Sequence, residues 1–192
     1  MELFPNDLAL PAGFSYRPEF ITPRQEQELL AAIAGIELHV FNFRGYEAKR
    51  RVASFGYHYN FENRKLSEGQ RIPPVFDWLI QNISAETRIE KEAFVELLVT
   101  EYPAGSVINW HRDAHPFEVI AGISLQSDCT LRLRPHEKAK QGRGSIVSLE
   151  VTRRSLYVIS GEARASWEHS ISPVQRQRFS ITLRTLRKDV AE

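Results

Sequence analysis

The chain is nearly devoid of cysteine: Cys129 is the only one in 192 residues. An intramolecular disulfide is thereby excluded, and so is a cysteine-based zinc site; a reducing compartment is compatible with this. Charge of either sign is also lacking in excess, with 25 Lys and Arg against 24 Asp and Glu, a formal net charge of +1. That balance gives no support to a whole-protein attraction to nucleic acid, which shows as a clearly basic domain, and it leaves room for a local basic patch. No run approaches the ~18 apolar residues of a membrane span, and neither an internal repeat nor a low-complexity segment is present. The opening MELFPNDLALPAGF carries no basic residue, and Pro5 and Pro11 interrupt its apolar stretch. No secretory signal is expected from it, and a cytoplasmic location is the expectation.

What is present suits a folded domain. The hydrophobic fraction is 42%, and the length fits one domain of about 100–200 residues able to bury roughly 70% of its unfolded surface. Thr22, Pro23 and Gln25 supply an N-cap, a first-turn proline and a capping-box partner. Leu29, Leu30 and Ile33 follow at helical spacing before Gly35, so a helix is expected over 23–34. A second helix is expected from Pro73–Pro74 through Ile83. Between them, FRGYEAKRRVASFGYHYNF has no clean helical period and reads as short strands or a lid-like excursion. From residue 94 the segments FVELLVTEY, VIAGISLQ, CTLRLRP, SIVSLEV, RSLYVIS, ASWEHSI and RFSITLRTL are short, β-branched and aromatic, with turn residues between them. They predict an antiparallel sandwich or barrel. The expected organisation is a single α+β domain over 1–192: residues 1–93 as helical support with a possible substrate-recognition lid, and 94–187 as a β core.

In NWHRDAH, His111 and Asp113 stand two apart, so on an extended segment they share a face. With a distant histidine they form a 2-His-1-carboxylate set, which leaves open positions on a metal and suits non-haem Fe(II) oxygenases. The third ligand must come from His39, His58, His115, His136 or His169, and His169 in ASWEHSI, near the last strands, is the best placed. His115 and His136 stand beside prolines in loop-like contexts. The triplet alone is equally compatible with surface histidines. Downstream, RFSITLR alternates: Arg178, Ser180, Thr182 and Arg184 fall on one face, and Phe179, Ile181 and Leu183 on the other. One reading is an amphipathic strand facing water. The other is a grip for a dianion, since guanidinium binds carboxylate through a bidentate fork; the arginine Cα atoms would then stand about 20 Å apart.

Taken in order, LLVTEYPAGSVINWHRD, ISL, LYVISGEARASWEHSI and RFSITLR resemble the AlkB-like family of Fe(II)/2-oxoglutarate-dependent dioxygenases. His169 follows Asp113 by 56 residues and an R-x5-R segment follows in turn. The resemblance covers about residues 95–186; the N-terminal third matches loosely. It implies a double-stranded β-helix (jelly roll) core with N-terminal supporting helices. It further implies that His111, Asp113 and His169 bind Fe(II) and that Tyr102 hydrogen-bonds the 2-oxoglutarate cosubstrate. Arg178 and Arg184 would take its two carboxylate ends, Arg178 the distal one. Thr100 and Ser180 stand where the family often has asparagine, and both keep a hydrogen-bonding side chain.

The implied chemistry consumes O2 and 2-oxoglutarate. The implied substrate is an N-methylated nucleobase in DNA or RNA, demethylated oxidatively in DNA repair or RNA modification. Such a base is presented single-stranded or flipped from a duplex. Over 43–61, Tyr46, Phe55, Tyr57, Tyr59 and Phe61 interleave with Arg44, Lys49, Arg50 and Arg51, as a nucleic-acid lid would; core aromatics beside a solvated basic loop fit equally. Trp110 and Trp167 are expected as walls of the site. The alternative function is a 2-oxoglutarate-dependent hydroxylase of a protein or small molecule, since a scaffold does not fix its substrate. A binding module without turnover is disfavoured by the complete ligand set. A monomer without membrane association is expected.

Overall fold

A computed structural model describes residues 10–43, 46–60 and 63–190. The elements are β1 (Phe14–Arg17), α1 (Pro23–Ala34), β2 (His39–Phe43), β3 (Tyr46–Asn60), β4 (Lys65–Glu68), α2 (Asp77–Thr87), β5 (Phe94–Tyr102), β6 (Ile108–His111), β7 (Phe117–Leu125), β8 (Cys129–Pro135), β9 (Val147–Val151), β10 (Leu156–Ile159), α3 (Gly161–Ala165), β11 (Trp167–Ile171) and β12 (Arg178–Leu186). They form two antiparallel sheets. The larger runs β1-β10-β7-β12-β5-β3-β2, with β4 on β3, and the smaller runs β6-β11-β8-β9. This is the expected jelly roll.

Two apolar clusters divide the fold into layers. Leu29 and Ile33 of α1, and Leu79 and Ile83 of α2, pack against Leu97, Val99, Ile123, Ile181 and Leu183 of the larger sheet. Phe117, Ile120 and Ile159 of the larger sheet meet Leu131, Leu133 and Ile171 of the smaller one. The larger sheet is therefore covered on both faces, which overturns the water-facing reading of RFSITLR. Its period of two holds: Phe179, Ile181 and Leu183 turn to the helices, and the polar set turns into the space between the sheets.

The helix over 23–34 forms with the expected box: Gln25 N donates to Thr22 Oγ1 at 3.2 Å, and Thr22 N to Gln25 Oε1 at 2.9 Å. The same helix carries a wholly buried carboxylate. Glu26 Oε1 accepts from the Gln126 amide at 2.8 Å, and Oε2 from Arg153 Nη2 at 2.5 Å. Removing one partner of such a contact leaves a buried charge, which is what makes it specific. The contact pins α1 to the turn after β7. The second helix departs from expectation: a 3₁₀ turn at Pro74–Phe76 precedes α2, which continues a turn past Ile83 to a left-handed Arg88. Pro73 and Pro74 lack amide donors, so the regular helix starts after them.

The organisation expected for 1–93 requires correction, because this region contributes β1 to β4 as well as two helices. Most of the segment between the helices is one 15-residue strand, β3. Its alternation is obscured in the sequence by a mid-strand change of partner: β3 pairs with β5 through Gly56 and with β4 from Tyr57 onward. Gly56 makes the change at φ +78°, with its amide donating to Gln70 O and its carbonyl accepting from Gly69 N. Arg44 and Phe61 lie outside the described residues, as does the side chain of Tyr46. A Cβ at Gly56 would overlap the Val95 carbonyl. Gly56→Ala is therefore expected to destabilise by about 2–3 kcal/mol and to lower Tm by roughly 4–12 °C. An unchanged thermal melt would remove the steric basis given for this turn.

Candidate active site

The two halves of the proposed cluster arrive on neighbouring strands. His111 ends β6 and sits opposite His169 on β11, with ring centroids 4.3 Å apart. Asp113 follows just past the strand end. One donor atom from each of the three lies within 4.8 Å of the others. His111 Nδ1 is 2.9 Å from the Asn109 carbonyl and, as its donor, leaves Nε2 with the lone pair. Burial first, and then His111, push the pKa of His169 down to about 3, so its imidazole is neutral at pH 7. Burial alone would raise that of Asp113, but Arg184, followed by His169, His111 and Arg164, holds it well below the usual carboxylate range. A neutral His169 imidazole and an ionised Asp113 carboxylate are in the protonation states a divalent metal requires. The donor set therefore fits iron.

Arg184 fixes the aspartate. Its Nε and Nη2 donate to Asp113 Oδ1 at 3.2 and 2.8 Å, while Nη1 donates to Glu96 Oε2 at 2.6 Å. Asp113 Oδ2 is left beside His169 Nε2, at 3.4 Å. Register brings these groups together, since Glu96 of β5 lies directly opposite Arg184 of β12. A second arginine secures the backbone. Arg164, buried on α3, donates through Nη2 to the carbonyls of Asp113, Ala114 and Phe117 at 3.2, 2.8 and 2.9 Å. Neither Glu96 nor Arg164 was singled out from the sequence. Arg164 lies within the quoted SGEAR segment, and Glu96 interrupts the apolar run of FVELLVTEY.

The remaining expected residues lie along β5 and β12. Arg178 faces Tyr102, and Ser180 faces Thr100. Arg178 is fully buried; its Nε donates to Ser124 Oγ at 3.0 Å and its guanidinium lies 4.8 Å from the Tyr102 ring centroid. Nη1 and Nη2 have no hydrogen-bond partner among the described residues. Tyr102 Oη is 3.5 Å from Ser180 Oγ. The two arginines are thus unequal. Arg184 already shares its charge with two protein carboxylates, whereas Arg178, expected at the distal carboxylate, is the one with unused donors among the described residues.

A cavity of about 1470 Å³ opens from the cluster and is lined by Tyr102, Tyr157 and Arg184, with Phe41 and Arg50 of the β2–β3 edge farther along. His39 and His58 also line it but are not in the cluster, and His58 Nε2 is 3.1 Å from Ser67 Oγ. His136 pairs with Glu168 at 2.9 Å, and His115 is exposed outside the cluster. The Trp110 ring stacks on Arg132 and Arg134, at 5.0 and 4.4 Å, and Trp167 packs into the core between the sheets.

The model of the 2OG-Fe(II) oxygenase superfamily matches residues 13–184. The chain is 28% identical to the Arabidopsis thaliana "alkylated DNA repair protein ALKBH8 homolog", over 97% of this chain and 62% of that protein. It is 30% identical to the Mus musculus "tRNA (carboxymethyluridine(34)-5-O)-methyltransferase ALKBH8", over 86% of this chain and 25% of that protein. It therefore spans less than two thirds of either relative. Among solved structures, that of OsALKBH1 superposes with a TM-score of 0.70 at 13% identity, covering 92% of this chain and 98% of that one; this likeness concerns the fold.

Replacing Arg164 tests whether the clamp on the Asp113 backbone matters. Arg164→Ala removes the donor to all three carbonyls, and Mn(II) affinity should fall about 10–100-fold, the usual penalty for losing a group that orients a ligand. Wild-type Mn(II) affinity in this variant would show that the loop holds its shape without the clamp.

Proposed function

Since the chain belongs to the 2OG-Fe(II) oxygenase superfamily, as an AlkB-like dioxygenase working with Fe(II), 2-oxoglutarate and O2, we propose that it oxidatively removes N-methyl groups from nucleobases in DNA or RNA. The observation that carries this reading is the preassembled His111–Asp113–His169 cluster, open to a large cavity whose lining residue Tyr102 lies against a buried arginine with unused donors. His111, Asp113 and His169 hold the iron. Arg178 and Tyr102 take the distal carboxylate of 2-oxoglutarate, beside Ser180 and Thr100. Arg184 acts chiefly on Asp113, keeping it ionised and turned so that one oxygen is left for the metal. When bound, iron with its cosubstrate supplies oxidising power: 2-oxoglutarate becomes succinate and CO2 while one atom of O2 enters a substrate C–H bond. Hydroxylation of an N-methyl group then releases formaldehyde and leaves the unmethylated base.

The substrate class rests on the relatives and on the cavity rim. The mouse relative's name places it on tRNA, and the Arabidopsis relative's name on alkylated DNA. The methyl transfer in the mouse name is not carried over, because this chain matches a quarter of that protein and its own family is an oxygenase family. At the rim, Arg50 stacks on Phe41 at 4.1 Å. Arg50 has no carboxylate partner among the described residues, whereas the adjacent Arg51 pairs with Glu101 at 2.5 Å. An uncompensated, partly buried guanidinium beside an aromatic ring suits a phosphate next to a stacked base.

Purified protein with Fe(II), ascorbate and 2-oxoglutarate should form succinate, and N-methylated single-stranded oligonucleotides should raise the rate and release formaldehyde. Succinate formation stimulated by a peptide or metabolite instead would transfer the protein to the hydroxylase class. His111→Ala should abolish iron binding; an active, iron-loaded variant would overturn the ligand assignment. Arg50→Gln should raise the KM for oligonucleotide about tenfold and reduce the salt slope of binding by about one. An unaltered slope would take Arg50 out of the substrate site.

A further inference from the structure

The inner face of the larger sheet has an unusual pairing of sizes. Tyr157 of β10 lies directly opposite Gly122 of β7, and Gly122 lies opposite Thr182 of β12. A Cβ at Gly122 would overlap the ring carbon Cζ and the hydroxyl of Tyr157. The tyrosine therefore reaches from its own strand across β7 towards β12, and the missing side chain at 122 is what admits it. On that side, the inward row of β12 is Arg178, Ser180 and Thr182. Two residues along β7 from Gly122, Ser124 accepts from Arg178 Nε. The phenol thus lies over β7 on the side of β12, where Tyr102 and Arg178 are among the groups that act on it electrostatically.

Tyr157 lines the cavity, and its oxygen has no hydrogen-bond partner among the described residues. Its cross-strand neighbour Tyr16 contrasts with it, being hydrogen-bonded to Thr152 at 2.9 Å. Burial first, and then Tyr102, hold the pKa of the Tyr157 phenol well above its ordinary value. It keeps its proton at neutral pH and is a donor. The two Arg178 nitrogens and the Tyr157 hydroxyl then lack a protein acceptor among the described residues, and the Tyr102 hydroxyl has only Ser180 Oγ, at 3.5 Å. A carboxylate, with about four acceptor sites on its two oxygens, answers all of them.

We propose that Tyr157 is a cosubstrate-binding residue, donating its hydroxyl to the distal carboxylate that Arg178 holds, and that Gly122 exists to let it do so. This rests on the 2-oxoglutarate reading above. It adds a residue on the second strand from β12, and makes dicarboxylate recognition depend on one side chain reaching over the strand between. The phenol has a consequence beyond affinity: a 2-oxo acid lacking the distal carboxylate gains nothing from it.

The test measures binding, with Mn(II)-loaded full-length protein titrated calorimetrically in the absence of O2. Tyr157→Phe keeps the ring over Gly122 and should retain the wild-type Tm. It should weaken 2-oxoglutarate binding about tenfold, the usual effect of losing a hydrogen bond to a charged group, and leave 2-oxobutyrate binding unchanged. Gly122→Ala, which expels the ring, should weaken 2-oxoglutarate at least as much. Unaltered 2-oxoglutarate affinity in Tyr157→Phe, or an equal loss for both acids, overturns the assignment. Failure of the unmutated protein to bind 2-oxoglutarate would instead bring down the cosubstrate reading, and this proposal with it.

Discussion

The structure depends most on one guanidinium. Arg184 lies between Glu96, its opposite number on β5, and Asp113, which leaves the end of β6 in the other sheet. Withdrawing three charges from water is costly, and a buried ion cluster is weak evidence of stability. Its value here is directional. By occupying Asp113 Oδ1 with two donors, Arg184 leaves Oδ2 beside His169, so the carboxylate has one oxygen for the protein and one for a metal. The same contact ties the two sheets together at the mouth of the cavity. Ser54 Oγ adds a donor to the far oxygen of Glu96 at 3.1 Å, so Glu96 does not rely on the arginine alone.

Around this cluster, the β period of two does most of the placing. β12 is flanked by β5 and β7, and its inward residues meet inward residues of both: Arg184 meets Glu96, Ser180 meets Thr100 and Ser124, and Arg178 meets Tyr102. A one-residue slip would turn every one of these groups into the helix-packed core. That slip is prevented from the other side, where Ile181 and Leu183 are wholly buried with Leu97, Val99 and Ile123. The apolar face thus sets the register and the polar face inherits it. α1 and α2 bear on function in this sense, and Glu26 extends the support to the turn after β7, next to Ser124 and so to Arg178.

Local patterns were therefore legible and cross-strand consequences were not. The capping box of Thr22 and Gln25, the alternation of RFSITLR and the H-x-D pair each depend on residues within a turn or a strand of one another. His169 could be chosen among five histidines because its context read as a strand near the last one. By contrast, β3 was obscured by its change of partner at Gly56, which breaks a single alternation into two. That Arg184 would meet two protein carboxylates was hidden as well. Arg184 and Arg178 are separated by what faces them: Glu96 and Asp113 in one case, Tyr102 and Ser124 in the other. The pairing of Tyr157 with Gly122 spans 35 residues of chain and exists only in the folded register.

The two arginines also mark a division between what the fold satisfies by itself and what it leaves for a ligand. Arg184 is compensated internally, and its cluster can form as the sheets close. Arg178 is buried more completely, yet two of its nitrogens meet no acceptor among the described residues, and an unsatisfied buried donor is a net cost to the folded state. Sequences that tolerate such local conflict tend to do so at functional sites. A ligand carboxylate that relieves it binds only the folded form and so stabilises that form. Recognition and folding share the same strand: the apolar face of β12 sets its register during folding, and the incomplete polar face is finished by the cosubstrate.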